Sequence, residues 1–324
     1  MGQPPGALQG EPPAISPAPQ PPLAYSEPMA SLKDDANYIR NLCEQLGIPG
    51  LTDIHTHFMP HNVLRKVWAY FEQAEDVLGY GWPITYRTDE AERIDTLRML
   101  GVKQFTSLLY PHKPDMAAWL NSWAADFAAR TPDCAHSSTF YPEPEAEDYV
   151  RTAIEAGTRV FKAHVQVGGY DPTDPHLDPV WGTIAEAELP IVIHAGHAPQ
   201  RGAHTGIEPV REVLRRFPNL TLVMAHLGMP DYEAFLDLAD EHPNFHLDTC
   251  MALTDFTERF APTSAEYRRR LGDYGDRIVF ASDFPNIPYS YAHQVEALER
   301  LELGEEWLRA VLWDNGQRLL NPVP

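Results

Sequence analysis

Cysteine is scarce in this chain, positive charge is short, and no apolar run is long enough to cross a bilayer. The three cysteines, Cys43, Cys134 and Cys250, are odd in number, far apart and without metal-type pairing. That excludes a disulfide framework and suggests free thiols in a reducing cytosol. Lysine and arginine together number 25 against 46 aspartates and glutamates, a formal net charge of −21. Such a balance disfavours nucleic acid and anionic membrane surfaces as partners and favours solubility. The N-terminus lacks a basic region followed by an apolar stretch, so no secretory signal is expected and the expected location is cytoplasmic. No glycine-rich turn follows the first apolar run, as a dinucleotide-binding open sheet would require.

What is present is a normal globular composition, 44% hydrophobic over 324 residues, enough for a large single core. Residues 1–28 are the exception. They are dense in Pro, Gly, Ala and Gln, which cannot build a core, so residues 1–30 are expected to be a disordered extension. A single domain is expected over 31–324. It opens with "SLKDDANYIRNLCEQLGIPG", which has helical spacing, Ser31 as cap and Gly47 as stop.

Short apolar runs then alternate with helical stretches. The strands are expected at 51–58, 102–109, 135–141, 158–166, 190–195, 220–226, 244–249 and 277–282, with helical patterns between them, among them 88–100, 145–156, 208–216 and 231–241. Alternation of this kind implies a parallel sheet, and eight units are the count of a closed (β/α)8 barrel.

The first run, "LTDIHTHF", places Asp53, His55 and His57 at every second position. On a strand those side chains share one face. Ionisable residues also end later runs: Lys162 and His164 in the fourth, His194 in the fifth, His226 in the sixth, Asp283 after the eighth. In the fourth run Val160, Lys162, His164 and Gln166 share a face, expected inward, and Phe161, Ala163 and Val165 share the other. A barrel builds its active site at the carboxyl ends of its strands. Buried charge is costly unless paired or bound to metal, so five strands delivering His, Lys or Asp to one end point to a metal site.

The motifs "DIHTHF", "VFKAHV", "VIHAG", "VMAHLG" and "FASDFP" together resemble the metal-dependent amidohydrolase superfamily, in the branch that includes aminocarboxymuconate-semialdehyde decarboxylase. The resemblance implies that His55, His57, His194 and Asp283 bind a divalent metal, usually zinc, and that His226 contacts the reacting group or a second metal. In some branches the fourth-strand lysine, here Lys162, is carboxylated and bridges two metals. The branch resembled most closely holds one metal, and a single ion is the expectation here, with Lys162 a plain cation. Zinc accepts imidazole and carboxylate ligands and leaves a position for water. Asp283 is expected to ligate or to shuttle the proton, and His226 to donate a hydrogen bond to the developing oxyanion.

Signals on the substrate side are fewer. The segment 59–87 is aromatic, with a helix expected over "HNVLRKVWAYFEQAEDVLG" and Trp82 among the pocket candidates. The fifth loop, "HAGHAPQRGAHTG", offers Arg201 for a carboxylate. His164 and Asp248 complete the substrate-binding candidates, while His246, one layer deeper, reads as structural. The expected function is hydrolysis of a small-molecule amide, ester or lactone. Non-oxidative decarboxylation of an unsaturated or aromatic acid at the same metal is the alternative, and a non-catalytic metal scaffold is the third reading. Barrels of this kind often dimerise, so a homodimer is also open.

Overall fold

The computed structural model describes residues 31–321. The disordered extension expected at 1–30 lies outside the described residues. The described chain begins with helix Leu32–Leu46, bounded as its sequence predicts. Ser31 and Asp34 form a reciprocal capping box, and Gly47 closes the helix at φ 64°, a left-handed conformation that glycine adopts without steric cost. This helix packs outside the barrel, where Tyr38 donates to Glu299 Oε2 at 2.7 Å.

Eight strand positions follow, each pairing in parallel with the next: Leu51–Asp53, Val102–Thr106, a third in two pieces (Cys134–Ala135 and Ser137–Thr139), Val160–His164, Ile191–His194, Leu222–Met224, Phe245–Asp248 and Ile278–Val279. All eight fall within or overlap the expected runs, but the regular ladders are shorter. The first ladder stops at Asp53, and residues 55–57 continue as extended chain held by single bonds. Ile54 N donates to Phe280 O at 3.3 Å, Asp283 N to His55 O at 2.9 Å, and His57 N to Phe284 O at 2.7 Å. These bonds join the eighth strand to the first and close the barrel. The fold is the (β/α)8 architecture that the alternation implies.

The fourth strand divides its faces as parity requires. Phe161 packs outward within a chain of rings, 6.3 Å from Phe140, which lies 5.0 Å from Trp181 on helix Asp178–Glu186. Lys162 points inward and is fully buried. The expected strand overruns its real end, since it stops at His164 and Val165–Gly168 turns as a short helix that removes Gln166 from the strand face. The aromatic segment after the first strand is two helices, His61–Phe71 and Ala74–Leu78, rather than one. The three cysteines are unpaired and buried. No helix among the described residues is long and apolar enough to cross a membrane.

Candidate metal centre

Strand register brings the histidines together. His164 and His194 are direct partners across the fourth and fifth strands, and their rings stack at 4.1 Å. His194 lies 4.7 Å from the His226 ring, His226 5.3 Å from His55, and His55 5.0 Å from His57. Five imidazoles, from the ends of the fourth, fifth and sixth strands and from the segment after the first, thus form one floor at the carboxyl end of the barrel.

Each ring is oriented by the bond at its other nitrogen, the usual way a fold presents metal ligands. His55 Nδ1 donates to Asp248 Oδ2 at 2.8 Å, so Nε2 is the lone-pair nitrogen, with the Lys162 ammonium facing it at 3.0 Å. His57 Nδ1 lies 2.7 Å from Leu108 O. A carbonyl oxygen only accepts, so Nδ1 carries the proton and Nε2 is again the lone pair. That Nε2 sits 2.8 Å from Asp283 Oδ1, and His55 Nε2 is 3.9 Å from the same oxygen. Two acceptors that close repel unless positive charge lies between them, so the trio calls for a proton or a cation. Two imidazole nitrogens and a carboxylate are a donor set that fits a zinc-type ion.

Electrostatics agree with that donor set. Burial, then the Lys162 ammonium, hold the His55 pKa well below its usual value. His164, His194 and His226 are likewise depressed, with burial the first cause. The neutral ring is the ligating form. For Asp283, burial opposes ionisation, but positive charge at the rings it faces, His57 first and then His55 and His226, holds its carboxyl well below the usual range; with the rings neutral, a bound cation would supply that charge. Asp283 and His226 also adopt positive φ, 74° and 57°, a conformation that costs a non-glycine residue on the order of 1–3 kcal/mol and clusters at functional sites.

Several expected residues are placed differently from their expected roles. His194 donates Nε2–H to Ala198 O at 2.9 Å. Among the described residues the groups with all ligand atoms within 4.8 Å of one another are His55, His57, Asp283 and His55, His226, Cys250; His194 belongs to neither and stands one ring away. His226 Nδ1 faces Cys250 O at 3.0 Å, so its Nε2 carries a lone pair. The neutral ring therefore accepts or ligates at that atom, where sequence reasoning expected a donor. Lys162 lies beneath the floor, outside the cavity wall, with Nζ 3.0 Å from His55 Nε2. Burial lowers its pKa to about 8, with Asp248, Cys250 and Asp283 opposing.

Asp248 is no substrate contact in this geometry. Its Oδ1 accepts from the backbone of His226 at 2.8 Å and Cys250 at 3.1 Å, and its Oδ2 from His55. It fixes two of the floor histidines from below. Arg201 turns onto its own loop, with Nη2 2.8 Å from His197 Nε2, and is absent from the cavity wall. Asp53, which shares the alternation of His55 and His57, binds Ser282 Oγ at 2.6 Å and Tyr291 OH at 2.7 Å. It anchors the residue that precedes Asp283.

Above the floor opens a cavity of about 770 Å³ whose wall includes His55, His57, His164, His194, His226 and Asp283. Trp82 lines it as expected and donates to Asn286 O at 2.7 Å, while Trp68 donates to Asn286 Oδ1 at 3.1 Å. The aromatic first loop is thereby tied to the eighth. Sequence reasoning missed Asn286, Cys250 and Tyr110. Tyr110 stands 4.6 Å from His164 and 5.6 Å from His57; its position just past the second strand was the available signal.

Solved structures share the architecture. An uncharacterised TIM-barrel protein from Bordetella bronchiseptica superposes with a TM-score of 0.65 at 18% identity, over 83% of this chain and 98% of that one. A probable 2-pyrone-4,6-dicarboxylic acid hydrolase from Acinetobacter baumannii, with citric acid bound, gives 0.57 at 12% identity, over 84% and 99%. IDCase from Metarhizium anisopliae, in apo form, gives 0.57 at 16%, over 85% and 98%. Likeness at these identities shows the fold. No curated protein matches the sequence. The Amidohydrolase family, by contrast, matches residues 52–321, nearly the whole described chain, and this protein belongs to it.

Proposed function

We propose that the protein is a metal-dependent hydrolase that cleaves an amide, ester or lactone bond of a small molecule. The observation that carries this reading is the convergence of two imidazole lone pairs and an ionised carboxylate, His55, His57 and Asp283, on the floor of a roomy cavity. These three would hold one divalent ion, zinc by the chemistry of the set, with His194 next to them. Such an ion supplies Lewis acidity toward a carbonyl and makes water nucleophilic near neutral pH.

The remaining steps belong to the chain. Asp283, kept ionised, accepts the proton of the attacking water and returns it to the leaving group. The Nε2 lone pair of His226 takes that same proton over from Asp283, and the protonated ring donates a hydrogen bond to the oxygen on which charge builds until the proton goes back through Asp283 to the leaving group. Asp248 holds His55 and His226 in register for this. The Lys162 ammonium offsets the negative charge of Asp248 and Asp283 beneath the floor.

The test is a metal analysis and a substrate panel on purified protein. About one equivalent of divalent metal, with ester or lactone turnover lost in His57→Ala together with the metal, supports the reading. Two ions bridged through a carboxylated Lys162 would overturn the single-ion assignment. Release of carbon dioxide from an aromatic or dienoic acid, with no hydrolysis, would assign decarboxylation to the same centre. Bound metal without turnover of either kind would leave a scaffold.

A further inference from the structure

Two features of the cavity are not used by hydrolysis itself. The first is apolar. Of the five exposed large hydrophobic side chains among the described residues, Tyr70, Trp119 and Val167 all line this one wall. Single exposed apolar residues need no account, but three gathered on a concave surface mark a ligand contact.

The second is charge. The chain has only five lysines, and two of them, Lys66 and Lys113, stand on the cavity wall with His112. They are neighbours: after burial, the charges of Lys113 and Lys66 depress the His112 pKa. Lys66 rides on helix His61–Phe71, after the first strand, and Lys113 follows the second. Both are exposed, and among the described residues neither ammonium forms an ion pair. Surface arginines behave otherwise, as Arg98 with Asp133 and Arg130 with Glu90 show. In a molecule of net charge −21, two adjacent unpaired ammoniums at a cavity mouth are held apart from the abundant acidic surface. The wall holds two aspartates, Asp115 and, on the floor with His55 and His57, Asp283; away from the floor, the two lysines stand against Asp115 alone and keep an excess of positive charge. Low-dielectric walls focus such a field on an incoming anion.

We propose that the site takes a substrate with an apolar, aromatic-sized body that carries an anionic group, a carboxylate or another oxyanion, at the end remote from the reacting bond. Tyr70, Trp119 and Val167 contact the body. Lys66 and Lys113 hold the anion at the mouth, while the bond to be broken lies at His55, His57 and Asp283. The orientation rests on the reading of those three as the reacting end; the two binding contacts stand without it.

The experiment is a fluorescence titration of the metal-loaded full chain with two probes that share a skeleton, 1-anilinonaphthalene-8-sulfonate and the neutral N-phenyl-1-naphthylamine. Substitution of both lysines, K66Q/K113Q, is expected to raise the Kd of the sulfonate about tenfold, as two partly solvated charge contacts allow, and to shift the neutral probe less than twofold. Trp119→Ala is expected to weaken both probes at least threefold. An unchanged sulfonate affinity, or an equal loss for both probes, overturns the anionic end. Indifference of both probes to Trp119→Ala overturns the apolar one. The readout is binding, so a protein that hydrolyses nothing yet shows the contrast defeats the hydrolytic reading alone, and hydrolysis without the contrast defeats this proposal alone.

Discussion

The chemistry of His226 turns on which of its nitrogens is tied down. Because Nδ1 is spent on Cys250 O, only Nε2 faces the cavity, and it does so as an acceptor in the neutral ring. Asparagine tests this cleanly. Its amide nitrogen sits near the position of Nδ1 and keeps the tether, while the Nε2 lone pair is lost. His226→Asn is expected to retain metal and melting temperature and to lose turnover by about 10²–10⁴, the usual worth of a positioned acid–base group. Metal content, thermal melting and turnover measured on the one variant decide it. Near-normal turnover removes His226 from the chemistry, and loss of metal makes it a ligand.

At the scale of elements, the sixth loop shows how local backbone sets the site. His226 and Leu227 both adopt positive φ, and Gly228 follows at φ 77°. A Cβ on Gly228 would fall 2.1 Å from Phe235 Cδ2, inside any permitted contact, and Phe235 belongs to helix Tyr232–Glu241. Gly228→Ala is therefore expected to cost about 2–4 kcal/mol, from overpacking and backbone strain together. Chemical denaturation should record the drop, and a cost within 0.5 kcal/mol would show that the loop tolerates a shift. The seventh strand offers a different test. His246 lies buried near its start, with Nδ1 unpartnered. Burial first, then Arg277 and Arg318, lower its pKa to about 4. The unfolded chain takes up that proton near pH 6.5 and the folded chain only near 4. Stability from this group is thus full above 6.5 and declines as pH falls to 4, by about 3 kcal/mol. His246→Gln should flatten that share of the acid limb relative to the parent. Identical slopes in the two proteins would sink the assignment, and the comparison separates His246 from the floor histidines, which remain in both.

For the whole molecule, the candidate ligands lie on either side of the seam where the barrel closes. His55 and His57 follow the first strand and Asp283 the eighth, and this seam is bridged by single backbone bonds rather than a ladder. A bound ion would therefore staple the closure. At free metal 100-fold above its Kd the folded state gains about 2.7 kcal/mol, which for a domain of this size is a rise in Tm of about 5–10 °C. Thermal melting with excess zinc and with chelator should differ by that amount. The difference should vanish in the His55→Ala, His57→Ala double variant; a shift that persists there would place the ion elsewhere.

Much of this was legible in the sequence, for physical reasons that can be named. Strand and helix carry different apolar periods, so the eight-fold alternation could be read without coordinates, as could the Ser31 and Gly47 helix bounds. Side-chain parity put Lys162 and His164 on the inner face and Phe161 on the outer one. Strand-end position marked His55, His57, His194, His226 and Asp283 as a set. What parity cannot report is depth and partner. Lys162 lies under the floor and His164 upon it, though both face inward. Asp248 reads by its strand-end position as a substrate contact, and Asp53 shares the alternation of His55 and His57, yet the oxygens of both are spent on donors within the fold. Arg201 looked outward from a glycine-rich loop, and only the loop's own path turned it to His197. Spacing along the chain determined which residues meet at one end of the barrel. Which nitrogen of each ring is free, and which carboxylate is already satisfied, is decided by atoms far apart in sequence, and only the folded structure brings them within hydrogen-bonding distance.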